Sequence, residues 1–190
     1  RALEIFHQIL GPELQQSSGM FTHGWWLWPI GRYVERNGLN DPKSSLQFIY
    51  ELTKRFTGEF AIRPILAAHP EQTLKTVEKW SRDRNVHVRR LASEGIRVRL
   101  PWSGKLTVFL DYPEMCIKVL SNLKEDSDRF VQKSVGNNIN DLMKEDPTLA
   151  KRIVALWQNS REVSQATQWI IRHGLRSERK RKNTPLKLMS

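Results

Sequence analysis

Three acidic residues, Glu59, Glu94 and Asp141, lie in stretches of the chain that are otherwise rich in arginine, lysine or asparagine. Around Glu94 the sequence VHVRRLASEGIRVRLPW, residues 86–102, holds four arginines and this single acid. A carboxylate fixed among cations either forms salt bridges with them or stabilises a positive charge that develops on a bound molecule. The choice between the two depends on the elements that position the three acids.

Residues 86–97 have the periodicity of a helix. One face of this helix is apolar or small and consists of Val88, Leu91, Ala92 and Gly95. Arg90, Glu94 and Arg97 share the opposite face, because they are spaced at i, i+4 and i+7. This second face is predicted to point outward. Glu94 is therefore expected on an exposed surface, beside two arginines.

From residue 41 onward the chain repeats a helical unit. Each unit begins with proline at the first helical position, where its missing N–H costs no hydrogen bond. The four starts are Asp41-Pro42, His69-Pro70, Tyr112-Pro113 and Asp146-Pro147. The second helices are predicted at Phe60–Ala68, Val86–Arg97, Arg129–Met143 and Glu162–Arg172. Such repeated helix pairs predict an all-α fold, a right-handed α-solenoid of stacked HEAT-like pairs with a concave basic groove.

The segments outside these units carry weaker signals. Residues Leu3–Leu14 and Trp25–Glu35 are predicted to be helical, with the polar linker Gln15–His23 between them. The tryptophans of the second segment are expected in the core rather than on a base-stacking surface. Lys105–Leu110 is predicted to be an insertion that joins two units, with a β-strand as the alternative. Residues 1–176 are expected to form one domain, and 177–190 a basic tail that is disordered or loosely associated with DNA.

Stacking places the second helices side by side on one concave surface. The expected outward positions in successive units are Glu59 and Arg63; Arg90, Glu94 and Arg97; Lys133, Asn137 and Asp141; and Gln165, Trp169 and Arg172. The resulting groove is basic and holds all three acids. Lysines and arginines neutralise DNA phosphates, whereas carboxylates repel them, so the acids need another role.

One role for the acids lies at the sugar of a nucleotide. Breaking an N-glycosidic bond develops positive charge on deoxyribose, and a fixed carboxylate stabilises that charge. The competing interpretation is that each acid only orders the arginines around it. The position of all three acids in one inferred groove favours the first interpretation.

Composition indicates the class of partner. The chain of 190 residues has a formal net charge of +11 and an isoelectric point near 10.1. An anionic partner is expected, with nucleic acid first and an anionic membrane surface second, although a basic protein without such a partner is the alternative. No apolar run approaches the roughly 18 residues of a membrane span. The single cysteine, Cys116, excludes an internal disulfide and a cysteine metal cluster, and it fits a reducing cytoplasm.

Other catalytic groups are poorly represented. The five histidines lack metal-ligand spacing, so neither a metal nor another cofactor is expected. His87 lies near the start of its helix and is predicted to be solvated or to face phosphate. The sequence contains no P-loop, no glycine-rich dinucleotide motif and no nucleophile elbow.

Five motifs together resemble the AlkC-type DNA alkylation repair proteins, a sister family of the AlkD-type HEAT-like-repeat DNA glycosylases. They are residues 59–64 (EFAIRP), 87–91 (HVRRL), 93–102 (SEGIRVRLPW), 131–141 (VQKSVGNNIND) and 169–174 (WIIRHG). The similarity extends over roughly residues 20–176. An AlkD-type pattern has Asp before the Asn that precedes the Arg-Arg helix, whereas this chain has Arg84 before Asn85, which favours the AlkC branch. Trp80 matches an AlkD-type aromatic residue but equally suits a buried position.

The resemblance implies a monofunctional glycosylase that excises cationic N-alkylated bases, chiefly 3-methyladenine and 3-methylcytosine, from duplex DNA and leaves an abasic site. It implies a bent duplex held in the groove rather than the usual base-flipping pocket. Asp141 and Glu94 are the leading catalytic candidates, with Glu59 in support. The expected DNA-binding residues are Arg63, His87, Arg89, Arg90, Arg97, Arg99, Trp102, Lys133, Asn137, Trp169 and Arg172. A monomer is expected, and the alternative function is a non-catalytic scaffold that binds DNA or protein.

Overall fold

Helices make up nearly all regular structure in the computed structural model, which describes residues 2–17, 19, 22–159 and 162–183. Within these residues there is no β-strand. The N-terminal part contains α1 (Ala2–Gln8), a 3₁₀ turn (Trp25–Leu27), α2 (Trp28–Asn37) and a second 3₁₀ turn (Gly38–Asn40). The fold is thus all-α, as predicted.

The predicted helix pairs follow in order. The bounds are α3 (Pro42–Thr53) with α4 (Ile62–Ala68), α5 (Pro70–Trp80) with α6 (Val86–Glu94), the short α7 (Val108–Asp111), α8 (Pro113–Leu123) with α9 (Arg129–Glu145), and α10 (Pro147–Gln158) with α11 (Gln165–Gly174), followed by α12 (Arg176–Asn183). All four predicted prolines stand at the starts of first helices. The prediction of stacked helical pairs is therefore confirmed.

Side-chain caps fix where several helices begin. Asp41 accepts a hydrogen bond from the Ser44 N–H at 3.1 Å, and Asp146 accepts one from the Leu149 N–H at 2.9 Å. Asn85 caps α6 through the His87 N–H at 2.9 Å. Each cap satisfies a backbone donor that has no partner inside its helix. Asn85 therefore sets the residue at which α6 begins, and with it the side of the helix on which each arginine of α6 lies.

The second helices form one layer, in which α9 packs between α6 and α11. Two glycines permit the close approach of α9 and α11. A Cβ at Gly136 would lie 2.8 Å from Cδ2 of His173, and one at Gly174 would lie 2.7 Å from Cβ of Ile139. The first helices α5 and α8 contact each other in the other layer. The order of the second helices brings the stretches around Glu94 and Asp141 together.

Several predicted boundaries were wrong. The predicted first helix was too long, because α1 ends at Gln8. The second helix of the next unit ends at Glu94, so Arg97 lies in the loop that follows α6. Residues 108–111 are helical, which contradicts the strand alternative for Lys105–Leu110 and leaves the insertion. Helix α12 extends to Asn183, within the segment expected to be a tail, whereas residues 184–190 lie outside the described residues.

The tryptophan-rich segment also differs from expectation. Trp25 is 62% exposed and Trp26 60% exposed, so these two side chains are not in the core as predicted. Gly24 precedes them with a φ of 74°, and a Cβ there would lie 2.3 Å from the Arg55 carbonyl oxygen. The turn is held close to the end of α3, where Trp26 lines a cleft with Leu10 and Arg55. Trp28, by contrast, packs against the core.

Candidate active site

The three predicted acids meet in one chain of alternating charges. Arg90 Nη1 lies 2.8 Å from Glu59 Oε2, and Arg90 Nη2 lies 3.5 Å from Glu94 Oε1. Arg97 Nη1 donates to Glu94 Oε1 at 2.7 Å, and Arg97 Nε donates to Asp141 Oδ2 at 2.8 Å. The order is therefore Glu59, Arg90, Glu94, Arg97 and Asp141, which we call the acid–arginine cluster. Three carboxylates share these two guanidinium groups, and the buried guanidinium of Arg63 also attracts Glu59 and Asp141.

The cluster is buried, which corrects the prediction of an outward face. Glu59, Glu94 and Asp141 are each 5% exposed, and Arg97 is 7% exposed. Burial of an ion is tolerated when it is paired and its remaining lone pairs are hydrogen-bonded. Such bonds come from the Ser134 hydroxyl to Glu94 and from the Thr57 hydroxyl to Glu59. The charges therefore lie between helices rather than on an open surface.

Burial and the arginines act oppositely on the pKa values of the acids. Burial raises the pKa of Glu59, with Arg90 opposing the rise. Burial likewise raises the pKa of Asp141, against a hydrogen bond and an attraction from Arg97. Burial acts on Glu94 in the same direction, but Arg90 and Arg97 outweigh it, so the pKa of Glu94 is lowered. Glu94 is thus held ionised, whereas Glu59 and Asp141 accept protons more readily than ordinary carboxylates.

Phe130, a residue that the sequence did not single out, lies under Arg90, whose guanidinium carbon is 4.7 Å from the ring centroid. The Ser134 contact was missed as well, because the predicted face of α9 was Lys133, Asn137 and Asp141. The face of α9 that contacts α6 is shifted by one residue from the predicted one. On this face the side-chain amide of Asn138 donates a hydrogen bond to the Ser93 carbonyl oxygen at 2.8 Å. The i, i+4, i+7 series Ser134, Asn138, Asp141 was the signal available for this face.

Arg63 does not point into solvent. It is 6% exposed, and it donates to the Arg97 carbonyl at 2.8 Å and to the Gly104 carbonyl at 2.6 Å. Burial, with repulsion from Arg97, lowers the pKa of Arg63 to about 10. Arg63 therefore joins both ends of the loop that carries Trp102, instead of presenting its charge on the surface.

Trp102 is 73% exposed, more than any other large apolar side chain among the described residues. Its φ is +60°, a left-handed conformation that costs a residue other than glycine about 1–3 kcal/mol. Its ring centroid lies 6.2 Å from that of Trp28, and Trp28 stacks on Phe60 at 5.6 Å. Because Phe60 follows Glu59, this aromatic stack lies beside the acid–arginine cluster.

Two further predicted cations of this region have protein partners. Arg89 forms a two-pronged contact with Asp126 at 2.6 and 3.3 Å and also donates to the Asp83 and Arg84 carbonyls. Arg99 has a 57% exposed side chain and forms an ion pair with Glu145. Arg99 is thus accessible to a ligand, whereas most of Arg89 is enclosed.

His87 is 3% exposed, so the prediction that it is solvated or faces phosphate was wrong. Its Nε2 lies 3.0 Å from the Gln16 carbonyl oxygen, and its ring meets the edge of Phe130 at 5.6 Å. Burial lowers the pKa of His87. The N-terminal segment packs over this histidine, a contact between residues so far apart in the chain that no local pattern predicts it.

Helices α9, α11 and α12 bring a second group of cations and aromatic rings together. Trp169 stacks on His173 at 4.8 Å, and the Arg129 guanidinium lies 4.1 Å from the centre of the Trp169 ring. Asn137 Oδ1 accepts from Arg176 at 3.0 Å and lies 3.1 Å from His173 Nε2. Burial, with repulsion from Arg176 and Lys133, lowers the pKa of His173 to about 4. Lys133 and Arg172 are exposed beside this group, as predicted.

Two general expectations can be compared with the described residues. None of their helices is both long and apolar enough to cross a membrane. They also contain no group of three or more histidine, cysteine or acidic side chains arranged to hold a metal ion. Cys116 is a free thiol in the core, where burial raises its pKa. Trp80 is 7% exposed and contacts Tyr50, which agrees with the buried interpretation of this residue.

The described residues define an all-α protein of stacked helical pairs with a buried acid–arginine cluster next to an exposed tryptophan. Residues 58–177 match the family model described as DNA alkylation repair enzyme. This match covers more than half of the chain, which therefore belongs to the DNA alkylation repair enzyme family.

Individual proteins are also similar to this chain. The chain is similar to the alkylpurine DNA glycosylase AlkC of Pseudomonas fluorescens, solved bound to DNA containing an abasic site analog, with 41% identity, a TM-score of 0.72, and coverage of 80% of this chain and 42% of that one. It is 37% identical over 145 residues to the uncharacterized protein YhaZ of Bacillus subtilis (strain 168), covering 76% of this chain and 40% of the relative. AlkD2 of Streptococcus mutans shares the fold at 20% identity and a TM-score of 0.56, covering 92% of this chain and 96% of that one. The chain thus spans about two fifths of the length of the first two relatives.

Proposed function

We propose that this protein is a DNA glycosylase that hydrolyses the N-glycosidic bond of cationic N-alkylated bases in duplex DNA, chiefly 3-methyladenine and 3-methylcytosine. The acid–arginine cluster is the observation that carries the proposal. A protein with a formal net charge of +11 holds the ionised carboxylate of Glu94, with those of Glu59 and Asp141 on either side, in a buried site. Such a charge stabilises a cationic sugar more strongly than it would in water.

Asp141 and Glu94 act on the sugar in this proposal, and Glu59 supports them through Arg90. The alkylated base is already a cationic leaving group, so the enzyme needs mainly to stabilise the oxocarbenium-like sugar. Glu94 supplies a permanent negative charge because Arg90 and Arg97 lower its pKa. Water then completes the hydrolysis and leaves an abasic site in an uncut strand. The similarity to AlkC, whose structure holds an abasic-site analog, supports this reaction.

Duplex DNA is the proposed partner of the exposed cations Arg99 and Lys133, which lie on the same units as Glu94 and Asp141, and of the exposed Arg172 on the next unit. Base stacking would come from Trp102 and Trp169. We also propose that the protein acts as a monomer in the bacterial cytoplasm and needs no metal or cofactor.

Release of free bases from methylated duplex DNA tests the proposal. Chromatography should detect 3-methyladenine and 3-methylcytosine in the presence of a chelator, and the strand should stay intact until alkali is added. Asp141→Asn and Glu94→Gln should lower the single-turnover rate at least tenfold more than they lower DNA affinity. DNA binding without base release by the folded protein would instead establish the non-catalytic scaffold, which the complete pairing of the acids also allows.

A further inference from the structure

Two asparagines of α9 hold the ends of the two helices beside it. The side-chain amide of Asn138 donates to the Ser93 carbonyl at 2.8 Å and to the Ser93 hydroxyl oxygen at 2.9 Å. The amide of Asn140 donates in the same way to the Gly174 carbonyl at 2.9 Å and to the Ser177 hydroxyl oxygen at 3.0 Å. Ser93 lies in the last turn of α6 and Gly174 ends α11, where carbonyl groups lack partners inside their helix. Each asparagine is therefore a C-terminal cap supplied by another helix.

The two caps differ at the amide oxygen. The Ser177 hydroxyl donates to Asn140 Oδ1 at 3.3 Å. Asn138 Oδ1 is buried without a hydrogen-bond partner among the described residues, and the whole residue is 1% exposed. The orientation of this amide is fixed, because the Ser93 carbonyl can only accept and must face the amide nitrogen. A buried acceptor without a donor is unfavourable, so this interface keeps Asn138 for the bonds of its nitrogen.

Asn138 lies between two contacts of the acid–arginine cluster. Ser134, one turn before it on α9, donates to the carboxylate of Glu94. Asp141, one turn after it, accepts from Arg97 at 2.8 Å. Residues 134, 138 and 141 share one face of α9, which follows the end of α6 and the loop beyond it. The cap therefore fixes how far α9 is displaced along α6, and with it the separation of the two acids.

Asn138 also contributes to the end of α6 at Glu94. The Ser93 carbonyl is the acceptor that the Arg97 N–H would use if the helix continued. Asn138 donates to that carbonyl, and the Arg97 N–H donates to the Glu94 carbonyl at 3.4 Å. The chain leaves the helix here, and the Arg97 side chain reaches Asp141 from the loop.

We propose that Asn138 is a positioning residue, which caps α6 from α9 and thereby sets the separation of Glu94 and Asp141 with Arg97 between them. This inference rests on the proposed function and deepens it, because it makes base release depend on the contact between two helical units. Asn138 acts through the helices and not on the substrate. Without the cap the two helices are free to shift along each other, and Arg97 moves away from Asp141.

Asn138→Ala and Asn140→Ala are matched variants, since each removes two hydrogen bonds that hold the end of a helix beside α9. At saturating protein, Asn138→Ala should lower the single-turnover rate of base release from methylated duplex DNA by about 10- to 100-fold, since misplacement of a catalytic group by about 1 Å costs up to that much. Asn140→Ala should keep the rate of the unaltered protein. Urea denaturation should show that both variants fold and lose similar stability.

The pH profile separates positioning from a general loss of stability. Burial raises the pKa of Asp141, and the hydrogen bond and attraction of Arg97 oppose that rise. If Arg97 moves away, the pKa rises further, so the acid limb of base release should move to higher pH in Asn138→Ala and stay in place in Asn140→Ala. Both substitutions leave unchanged the charged groups around Asp141, which are Arg97, Lys144, Glu94, Arg63 and Arg176.

Carboxyl-carbon NMR measures the titration of Asp141 without DNA or base release, with the signal assigned from the spectrum of Asp141→Asn. An Asp141 titration that Asn138→Ala leaves unchanged, or rates that fall equally in Asn138→Ala and Asn140→Ala, would overturn the proposal. Ser93→Ala removes only the hydroxyl acceptor and should shift the titration in the same direction by less; it decides the question if Asn138→Ala does not fold. A protein that releases no base, but whose Asp141 titration shifts in Asn138→Ala alone, would contradict only the proposed function.

Discussion

Glu94 and Glu114 form ion pairs of the same length in very different surroundings. The Arg97–Glu94 and Arg152–Glu114 contacts both measure 2.7 Å. The side chains of the first pair are 9% and 6% exposed, whereas those of the second are 56% and 69% exposed. Water screens an exposed pair, while a buried charge without its partner keeps its full cost of desolvation. A comparison of the two glutamates therefore separates the effect of burial on the strength of an ion pair from the effect of its N···O distance.

Glu94→Ala should lower the free energy of unfolding by about 2–3 kcal/mol, because the Ser134 hydroxyl and the guanidinium N–H groups of Arg97 and Arg90 that contact Glu94 lose their acceptor in a buried site. Glu114→Ala, the control, should lower it by no more than about 1 kcal/mol. Urea denaturation at neutral pH, followed by circular dichroism, measures both. Equal losses in the two variants would mean that the cluster is hydrated and that its acids are as easily replaced as surface residues.

Asp141 should give base release an acid limb above the pKa of an ordinary aspartate, 3.8, because burial raises its pKa in the folded protein. The active form is the carboxylate, so the rate falls as the pH drops through this raised pKa. Arg97→Gln removes a hydrogen bond and an attraction that lower the pKa, and the limb should then move to still higher pH. Single-turnover rates against pH, corrected for spontaneous depurination, measure the shift.

The matched control for this shift is Arg172→Gln, which removes an exposed arginine in another helix. A limb that stays in place in the Arg97 variant would assign the titration to another acid. Glu59 would be the first alternative, since burial raises its pKa as well and its arginine is Arg90.

Sequence reasoning found the members of the site but misjudged their environment. Helical spacing correctly placed Arg90 and Glu94 on one face of α6, because that spacing is a property of the chain alone. It could not show that α9 covers this face, since burial depends on which helix packs there. The left-handed backbone at Trp102 was also beyond reach. Pro101 and Gly104 mark a turn there, which the Ser103 N–H closes by donating to the Leu100 carbonyl at 3.2 Å, but the position with positive φ in such a turn favours glycine or asparagine rather than tryptophan.

At the scale of helices, the starts of the four first helices were predictable, whereas the starts of α4 and α11 and the end of α6 were not. Proline and capping residues such as Asp41 and Asp146 act locally, so the sequence shows where α3 and α10 begin. The end of α6 at Glu94 follows from contacts that are distant in sequence. Gly95 there packs so closely on Ile62 that a Cβ would lie 2.9 Å from Cγ2 of that side chain. The resulting loop frees Arg97 to reach Asp141, which a longer helix would have placed differently.

Gly136→Ala should destabilise the packing of α9 on α11. The new Cβ would lie 2.8 Å from the His173 ring and 3.2 Å from the Ile170 carbonyl oxygen, so the helices must move apart. Overpacking of this kind costs about 1–3 kcal/mol. Thermal unfolding, monitored through the near-ultraviolet circular dichroism of the tryptophans, measures the loss of stability.

The control for this prediction is Gly31→Ala in α2, whose Cβ would lie 3.6 Å from a Leu52 methyl group, an ordinary contact. Alanine favours a helix interior by about 1 kcal/mol over glycine, so this variant should be more stable than the unaltered protein. Both glycines lie in helices, yet their replacement by alanine is expected to change the stability of the protein in opposite directions. A stabilised Gly136→Ala variant would show that α9 and α11 have room that the structure does not indicate.

At the scale of the whole molecule, the position of the charge should matter more than its total for binding to undamaged duplex DNA. Lys133 and Arg172 are exposed on the second helices α9 and α11, and Lys151 is exposed on the first helix α10. Each phosphate contact adds about 0.9 to the slope of log K against log salt. Lys133→Gln and Arg172→Gln should each reduce the slope by about that amount, whereas Lys151→Gln should leave it unchanged, as measured by anisotropy titrations between low and moderate salt. If all three substitutions reduced the slope equally, the layer of second helices would have no special part in binding, and the net charge of +11 would act as a diffuse attraction for any polyanion.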